Sequence, residues 1–387
     1  MFTVLTLAFR TNIAKFRQFY KAPVLVISSL MLIFSVLAVI TTYLNGISIR
    51  LAIEFVAKNL FFILLFWFTI KLPNQIETLV LPYVRLCTVI SILGITVSLL
   101  VHLGIVHLLD WRVSLNELVG YDYEGRFGFW RYSFPLRMGL FIPFESISIL
   151  GFEFHRLSGF STEPNVFALF LEPSLFFAIY LMKRYPSRSE HRFSCMVIFI
   201  CLVITMSGAT MLILPFLALL WFYRKSGIIR YMIYTTIALA LFCIYHNWRV
   251  FSDRSELAEY LGEGYFLIRA GTLITSINYV LNAIRTGDFF GAGMRDTGGP
   301  LFAILIRNHG IFGFVFYMVI FVLLVKYSLR MLSRASSEKS ILALPVLAYS
   351  GHMLKAGFYD SFLFLFVIHV FLIALKKEKF NKHVYHV

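Results

Sequence analysis

The chain has 387 residues, of which 59% are hydrophobic and only 14% charged, with a mean hydropathy of +0.80. A water-soluble domain of that length cannot hide so much apolar sequence. The composition therefore excludes a soluble globular protein and points to an all-α polytopic integral membrane protein. A formal net charge of +15 would suit a nucleic-acid binder. The cations, however, sit in clusters beside apolar runs, so no nucleic-acid partner is expected.

Residues 1–22 set Leu5, Phe9, Ile13, Phe16 and Tyr20 at helical spacing beside Arg10, Lys15, Arg17 and Lys21, the pattern of an interfacial helix. The basic residues precede a full-length apolar span without a small-residue cleavage site, so no cleavable signal is expected. Spans follow at Pro23–Leu44, Leu51–Ile70 (carrying Glu54 and Lys58), Leu86–Val106 and Pro164–Met182. A long polar loop at 107–163 precedes the last of these, and its stretch 136–150 is apolar enough to lie in the interface.

The run from Phe193 to Tyr223 has cations at both ends, Arg188 and Arg192 before it and Arg224, Lys225 and Arg230 after it. A single helix there would be roughly 45 Å long, against a hydrocarbon core of roughly 30 Å. Both ends should be cytoplasmic, so the spacing predicts a hairpin of two short helices turning at Ser207-Gly208. Ile228–His246 reads as the seventh span. A second long loop, 247–309, holds a helical stretch that starts after Asp253-Arg254-Ser255-Glu256, a capping-box-like start, and ends at the glycine-rich turn Gly287–Gly293. Spans at Gly310–Val325, Ile341–Leu354 and Phe358–Leu375 complete the chain. The expectation is one membrane domain over 1–387, with about ten transmembrane helices, two long outer loops and both termini cytoplasmic.

Cys87, Cys195, Cys201 and Cys243 all lie in apolar runs and read as buried thiols. No His/Cys/Asp grouping has metal-ligand spacing, and neither a metal nor another cofactor is expected. This topology places thirteen cations outside, and every one but Lys355 is arginine, whereas the inside set mixes lysine and arginine. An outer face that prefers planar forks to point charges suits phosphate or carboxylate ligands, although translocated loops that merely avoid lysine would look the same.

The densest group of polar residues is the junction 153–165. Thr162, Glu163 and Pro164 suit the start of a helix. A cap does not explain Arg156 or Gly159. Arg156 at the mouth of a helix bundle could bind a lipid diphosphate together with the positive end of that helix, or could pair with Glu153 or Glu163. In the second loop Arg269 precedes Gly291-x-Gly293, Arg285 and Arg295 flank that turn, and its glycines would let backbone approach a ligand closely. His155 and His309 are further candidates, each as well read as a hydrogen-bonded bystander. Eight aromatic residues between Trp111 and Phe134 could stack on sugar rings or form an interfacial belt. Lys58 and Glu172 lie at matching depths below the outer mouth, roughly 10 and 12 Å, which favours a buried ion pair; Glu54, one turn from Lys58, is the competing partner.

Arg156-x-x-Gly159 followed by Glu163-Pro164-Asn165 at the head of a membrane helix resembles the O-antigen and capsule repeat-unit polymerases (Wzy-type), relatives of the O-antigen ligases. Thr205-Met206-Ser207 looks like the family's turn between two short helices, though Gly208 stands where relatives often carry arginine. Arg269, then Phe290-Gly291-Ala292-Gly293, then Gly310-Ile311-Phe312-Gly313 follows the family's order. The likeness covers roughly residues 150–325. It implies a GT-C-like bundle in the bacterial inner membrane and a metal-independent glycosyltransferase acting on polyprenyl-diphosphate-linked oligosaccharides. It also implies membrane lipids, a chain-length regulator and a flippase as partners. Arg156, Glu163, Arg269 and His309 would be catalytic. His155, Gly159, Asn165, Arg285, Gly291, Gly293 and Arg295 would bind substrate. The ligases carry a histidine where this chain has Gly299-Pro300, which speaks against the ligase reading. A lipid-linked oligosaccharide transporter would instead show inverted repeats and polar groups at the membrane midplane.

Overall fold

The computed structural model describes residues 23–45, 50–69, 75–103, 105, 109–113, 130–134, 146–149, 152–155, 157, 159, 164–222, 280–291, 293, 301–353 and 361–384. The helices are α1 (Pro23–Leu44), α2 (Arg50–Thr69), α3 (Gln75–His102), α4 (Pro164–Arg184), α5 (Ser189–Thr205), α6 (Gly208–Phe222), α7 (Leu301–Arg334), α8 (Ser337–Ser340), α9 (Leu344–Met353) and α10 (Phe362–Val384), with a short helical segment over 280–286. Four helices among the described residues are long and apolar enough to cross a membrane, at Val26–Leu44, Gln75–His102, Asn165–Arg184 and Leu301–Arg334. The interfacial helix expected at 1–22 and the seventh span expected at 228–246 lie outside the described residues.

The outward faces are those of a helix in lipid. On α3, Ile76, Val80, Val84, Cys87, Ser91 and Gly94 form the buried stripe, while Leu86, Val89, Leu93 and Leu99 are each more than half exposed. Such a face would aggregate in water but is what hydrocarbon solvates. The first long loop departs from the all-α expectation. Strands β1 (Leu109–Val113) and β2 (Trp130–Phe134) pair antiparallel, with Trp111 opposite Tyr132. Strands β3 (Ser146–Ile149) and β4 (Phe152–His155) do the same, with Ser146 opposite His155. An irregular loop leaves backbone polar groups to be satisfied one by one, and strand pairing satisfies them in register.

The chain forms two compact units, 76–222 with 336–348, and 1–75 with 223–335 and 349–387. In the first, α4 is the hub: 72% of its spanning window is buried. It packs on α5, on α6 and on the 3-10 turn Ile341–Ala343. The run 189–222 turns back on itself. Its midpoint is tied to the start of α4, where the Ser207 hydroxyl donates to Asn165 Oδ1 at 2.9 Å. Its far end is tied to the end of α4, where Lys183 Nζ lies 4.0 Å from the Trp221 ring centroid. Trp221 Nε1 also donates to Ser340 Oγ at 3.3 Å. α5 therefore runs against α4 and α6 runs with it, the hairpin the cation clusters predict. The turn is made by Met206, held in the left-handed region at φ 45°.

In the second unit, α1 packs against α7 and α2, and α10 packs on α2 and α1. Phe34 is the centre of this core, with its ring 5.8 Å from Phe55, 5.0 Å from His309 and 5.2 Å from Tyr317. The hydroxyls of Thr41 and Thr42 both donate to the Ala38 carbonyl, which lets polar side chains sit in an apolar bundle. Lys58 Nζ lies 2.9 Å from Glu54 Oε1, so the one-turn partner takes it. This replaces the favoured Lys58–Glu172 pair: two charges on one helix meet without cost in backbone order. Glu172 is fully buried in α4.

Candidate functional site

Two constellations collect the residues singled out in the sequence, one in each unit. The first is the head of α4. The backbone N–H of Leu157 donates to the Ile204 carbonyl at 3.3 Å, and its side chain is 2% exposed, lying over Gly94. Two residues on, Gly159 has φ +59° and faces the Phe167 ring so closely that a Cβ would fall inside the ring's van der Waals envelope. This glycine thus meets two demands that no other residue meets, a left-handed backbone and direct contact with an aromatic face. The position called substrate-binding has a packing role.

Arg156, Glu163, Arg269 and Arg295 lie outside the described residues. His155 ends β4, paired with Ser146, and Leu157 is anchored to α5. Asn165 accepts from Ser207, so the start of α4 and the α5–α6 turn, two segments 42 residues apart in sequence, form one structure. The first N–H groups of α4 have no partner within the helix, and its dipole makes this end positive.

The second constellation is a broken helix. α7 is interrupted at Gly310, with φ 61° and ψ −164°. Breaking a helix strands backbone donors and acceptors, which in an apolar bundle must be satisfied from elsewhere. The turn 288–293 supplies them: Ile311 N–H donates to the Asp288 carbonyl at 3.1 Å, Phe312 N–H to the Phe289 carbonyl at 3.2 Å, and Gly293 N–H to the Asn308 carbonyl at 2.9 Å. Gly291 lies against the backbone of the break, where a Cβ would come within 2.7 Å of His309 N. The turn is held by Asp288 Oδ1, which accepts from Gly291 N–H at 2.8 Å, and by Asn45 Nδ2, which donates to the Gly291 carbonyl at 2.9 Å. Before it, the helical segment 280–286 ends on Gly287 at φ +70°, with Asp288 N–H bonded back to the Ala283 carbonyl, a Schellman closure.

The structure therefore brings Gly291, Gly293 and His309 together. His309 is fully buried beside Phe34 and over Gly313, so it does not stand at an open mouth. Arg285 is exposed in the last turn of 280–286. Asn45 and Asp288 escaped the sequence reading. The spacing Asp288-x-x-Gly291 is a legible local turn signal, but nothing near Asn45 announces a contact 246 residues away.

Helical architecture, apolar outward faces and satisfied breaks inside the bundle define a helical membrane protein. Comparison with protein-family models, curated proteins and solved structures finds no match.

Proposed function

We propose that the chain is an inner-membrane polysaccharide polymerase. On this reading it joins oligosaccharide repeat units carried on polyprenyl diphosphate by glycosyl transfer at the periplasmic face. The observation that supports it best is the Asn165–Ser207 hydrogen bond. It joins Glu163-Pro164-Asn165 to Thr205-Met206-Ser207, the two short motifs of the resemblance, beside the residue that follows Arg156.

In the proposed reaction, a hydroxyl of the acceptor repeat unit attacks the anomeric carbon of the growing glycan. The bond to the diphosphate oxygen breaks, and polyprenyl diphosphate leaves with the electron pair. Glu163 takes the hydroxyl proton. Arg156 and Arg269 stabilise the leaving diphosphate, where negative charge develops. A guanidinium presents two parallel donors to a phosphate, whereas an ammonium presents a point charge.

Surface-glycan banding in a deletion strain tests the reading. Loss of a polymerase leaves single repeat units on the core, loss of a ligase leaves none, and loss of a transporter stops export. Complementation with Arg156→Lys should give full amounts of protein and no polymer. Near-normal polymer from that variant would remove Arg156 from the site.

A further inference from the structure

α1, α2 and α10 pack around a cavity of about 30 Å³, lined among others by Ser28 and Met31 of α1, Asn59 and Phe62 of α2, and His369 of α10. All of these residues belong to one compact unit. Most of the wall is apolar, yet a carboxamide, an imidazole and a hydroxyl meet in it. Asn59 is 3% exposed and His369 2%, so neither side chain reaches bulk solvent. Other polar side chains of α1 are satisfied by their own helix. Ser35 Oγ donates to the Met31 carbonyl at 2.8 Å, and Thr41 and Thr42 donate to Ala38. A single hydroxyl can be served in that way. A carboxamide cannot, because it carries two N–H donors and an oxygen with two lone pairs. Asn59 Nδ2 donates to the Phe55 carbonyl at 2.9 Å, which uses one N–H. The oxygen and the second N–H need further partners in an apolar bundle. An imidazole likewise has two ring nitrogens to satisfy.

We propose that the cavity is a water site, in which one water molecule bridges the Asn59 carboxamide and the His369 imidazole with the Ser28 hydroxyl as third partner. Size selects the ligand: about 30 Å³ is close to the share of one molecule in liquid water, and a sugar ring, a lipid headgroup or an acyl chain would not fit. The lining agrees, since a buried water makes about three hydrogen bonds, whereas cavities that stay dry are apolar throughout. The bridge gives α10 a polar tie to α1 and α2. Lipid tails are as apolar as the side chains they contact, so such ties contribute to helix association where a hydrophobic driving force is missing. They also fix register, because a shift of α10 by one turn would carry His369 about 5 Å away from Asn59. The water site stands independently of the polymerase reading.

The test is X-ray hydroxyl-radical footprinting of the full-length protein in nanodiscs. Radicals form where water is, so a buried side chain is oxidised when it lies beside a bound water. Phe62 is 6% exposed and lines the cavity. Phe364, 1% exposed on α10, lies off the cavity wall and is the control. Phe62 should be oxidised well above Phe364. Asn59→Leu combined with His369→Phe replaces both polar partners by apolar groups and should lower Phe62 oxidation to the level of Phe364. In thermal unfolding each single variant should lower the midpoint, because it strands the partner that remains, and the double variant should lose less than the sum of the two. Phe62 oxidation no higher than that of Phe364 in the unaltered protein would overturn the water site, and this measurement needs no variant to fold. Unchanged oxidation in the double variant, or additive losses of stability, would overturn the bridge between Asn59 and His369.

Discussion

Two glycines that look alike in sequence carry different loads. At Gly159 a methyl group meets an aromatic ring that is itself fully buried, and the backbone is left-handed. Gly159→Ala should therefore cost roughly 2–4 kcal/mol from backbone strain and overpacking together. At Gly94 the backbone is helical, and the nearest atom is Leu157 Cδ2 at 3.0 Å, the far end of a flexible side chain. Gly94→Ala should be close to neutral, because the gain in helix propensity offsets a small shift of Leu157. Thermal unfolding of the two variants in detergent checks the order, and a Gly94 variant as unstable as the Gly159 variant would contradict it. Met206 is the opposite case, a side-chain-bearing residue at φ 45°. Met206→Gly should leave the protein as stable or raise stability by about 1 kcal/mol.

Helices in this protein are adjusted one turn at a time. Pro173 in α4 removes the N–H that would serve the Leu169 carbonyl, and in the same turn the Tyr83 hydroxyl of α3 donates to the Phe170 carbonyl. Tyr83→Phe should lower stability by about 1 kcal/mol with little change in packing. Lys58 and Glu54 stabilise each other within α2, and removing either leaves a charge that membrane tolerates poorly. Glu54→Gln and Lys58→Met should each reduce the amount of folded protein, and the double variant should recover much of it. Additive losses would show that the pair does not couple. The hairpin 189–222 was legible because run length and flanking cations constrain the same choice. The partner of Lys58 was legible only as an alternative, since equal depth on two spans carries no information about which faces meet. The strands of the first loop left no alternating pattern strong enough to read against so many aromatic residues. The span start at Gly310 was legible, with the polar Arg307-Asn308-His309 just before it, but the helical turns from Leu301 to His309 read as the end of the loop.

At the scale of the molecule, sidedness is the property on which the proposed chemistry depends. The described residues offer exposed reporters for it. Ser187, between α4 and α5, and Thr286, at the end of the 280–286 segment, are both exposed. In intact cells an impermeant thiol reagent should label Thr286→Cys and spare Ser187→Cys until the membrane is opened. The reverse pattern would invert the topology and with it the polymerase reading. Ser207 at the hairpin turn is fully buried, which makes it unsuitable as a reporter for either side.

The sealed break in α7 also bears on the order in which the chain is made. The groups that close it, from Asp288 to Phe312, lie about two dozen residues apart, a loop whose closure entropy is small. Every backbone contact across the break is complete once synthesis has passed Phe312, before α10 exists. The Asn45 contact with the turn and the Phe34 contact with His309 reach far back, to α1 and its end, which are already made. The interruption is thus a local fold within the nascent chain, and a ribosome stalled after α7 should already present the turn in protease-resistant form.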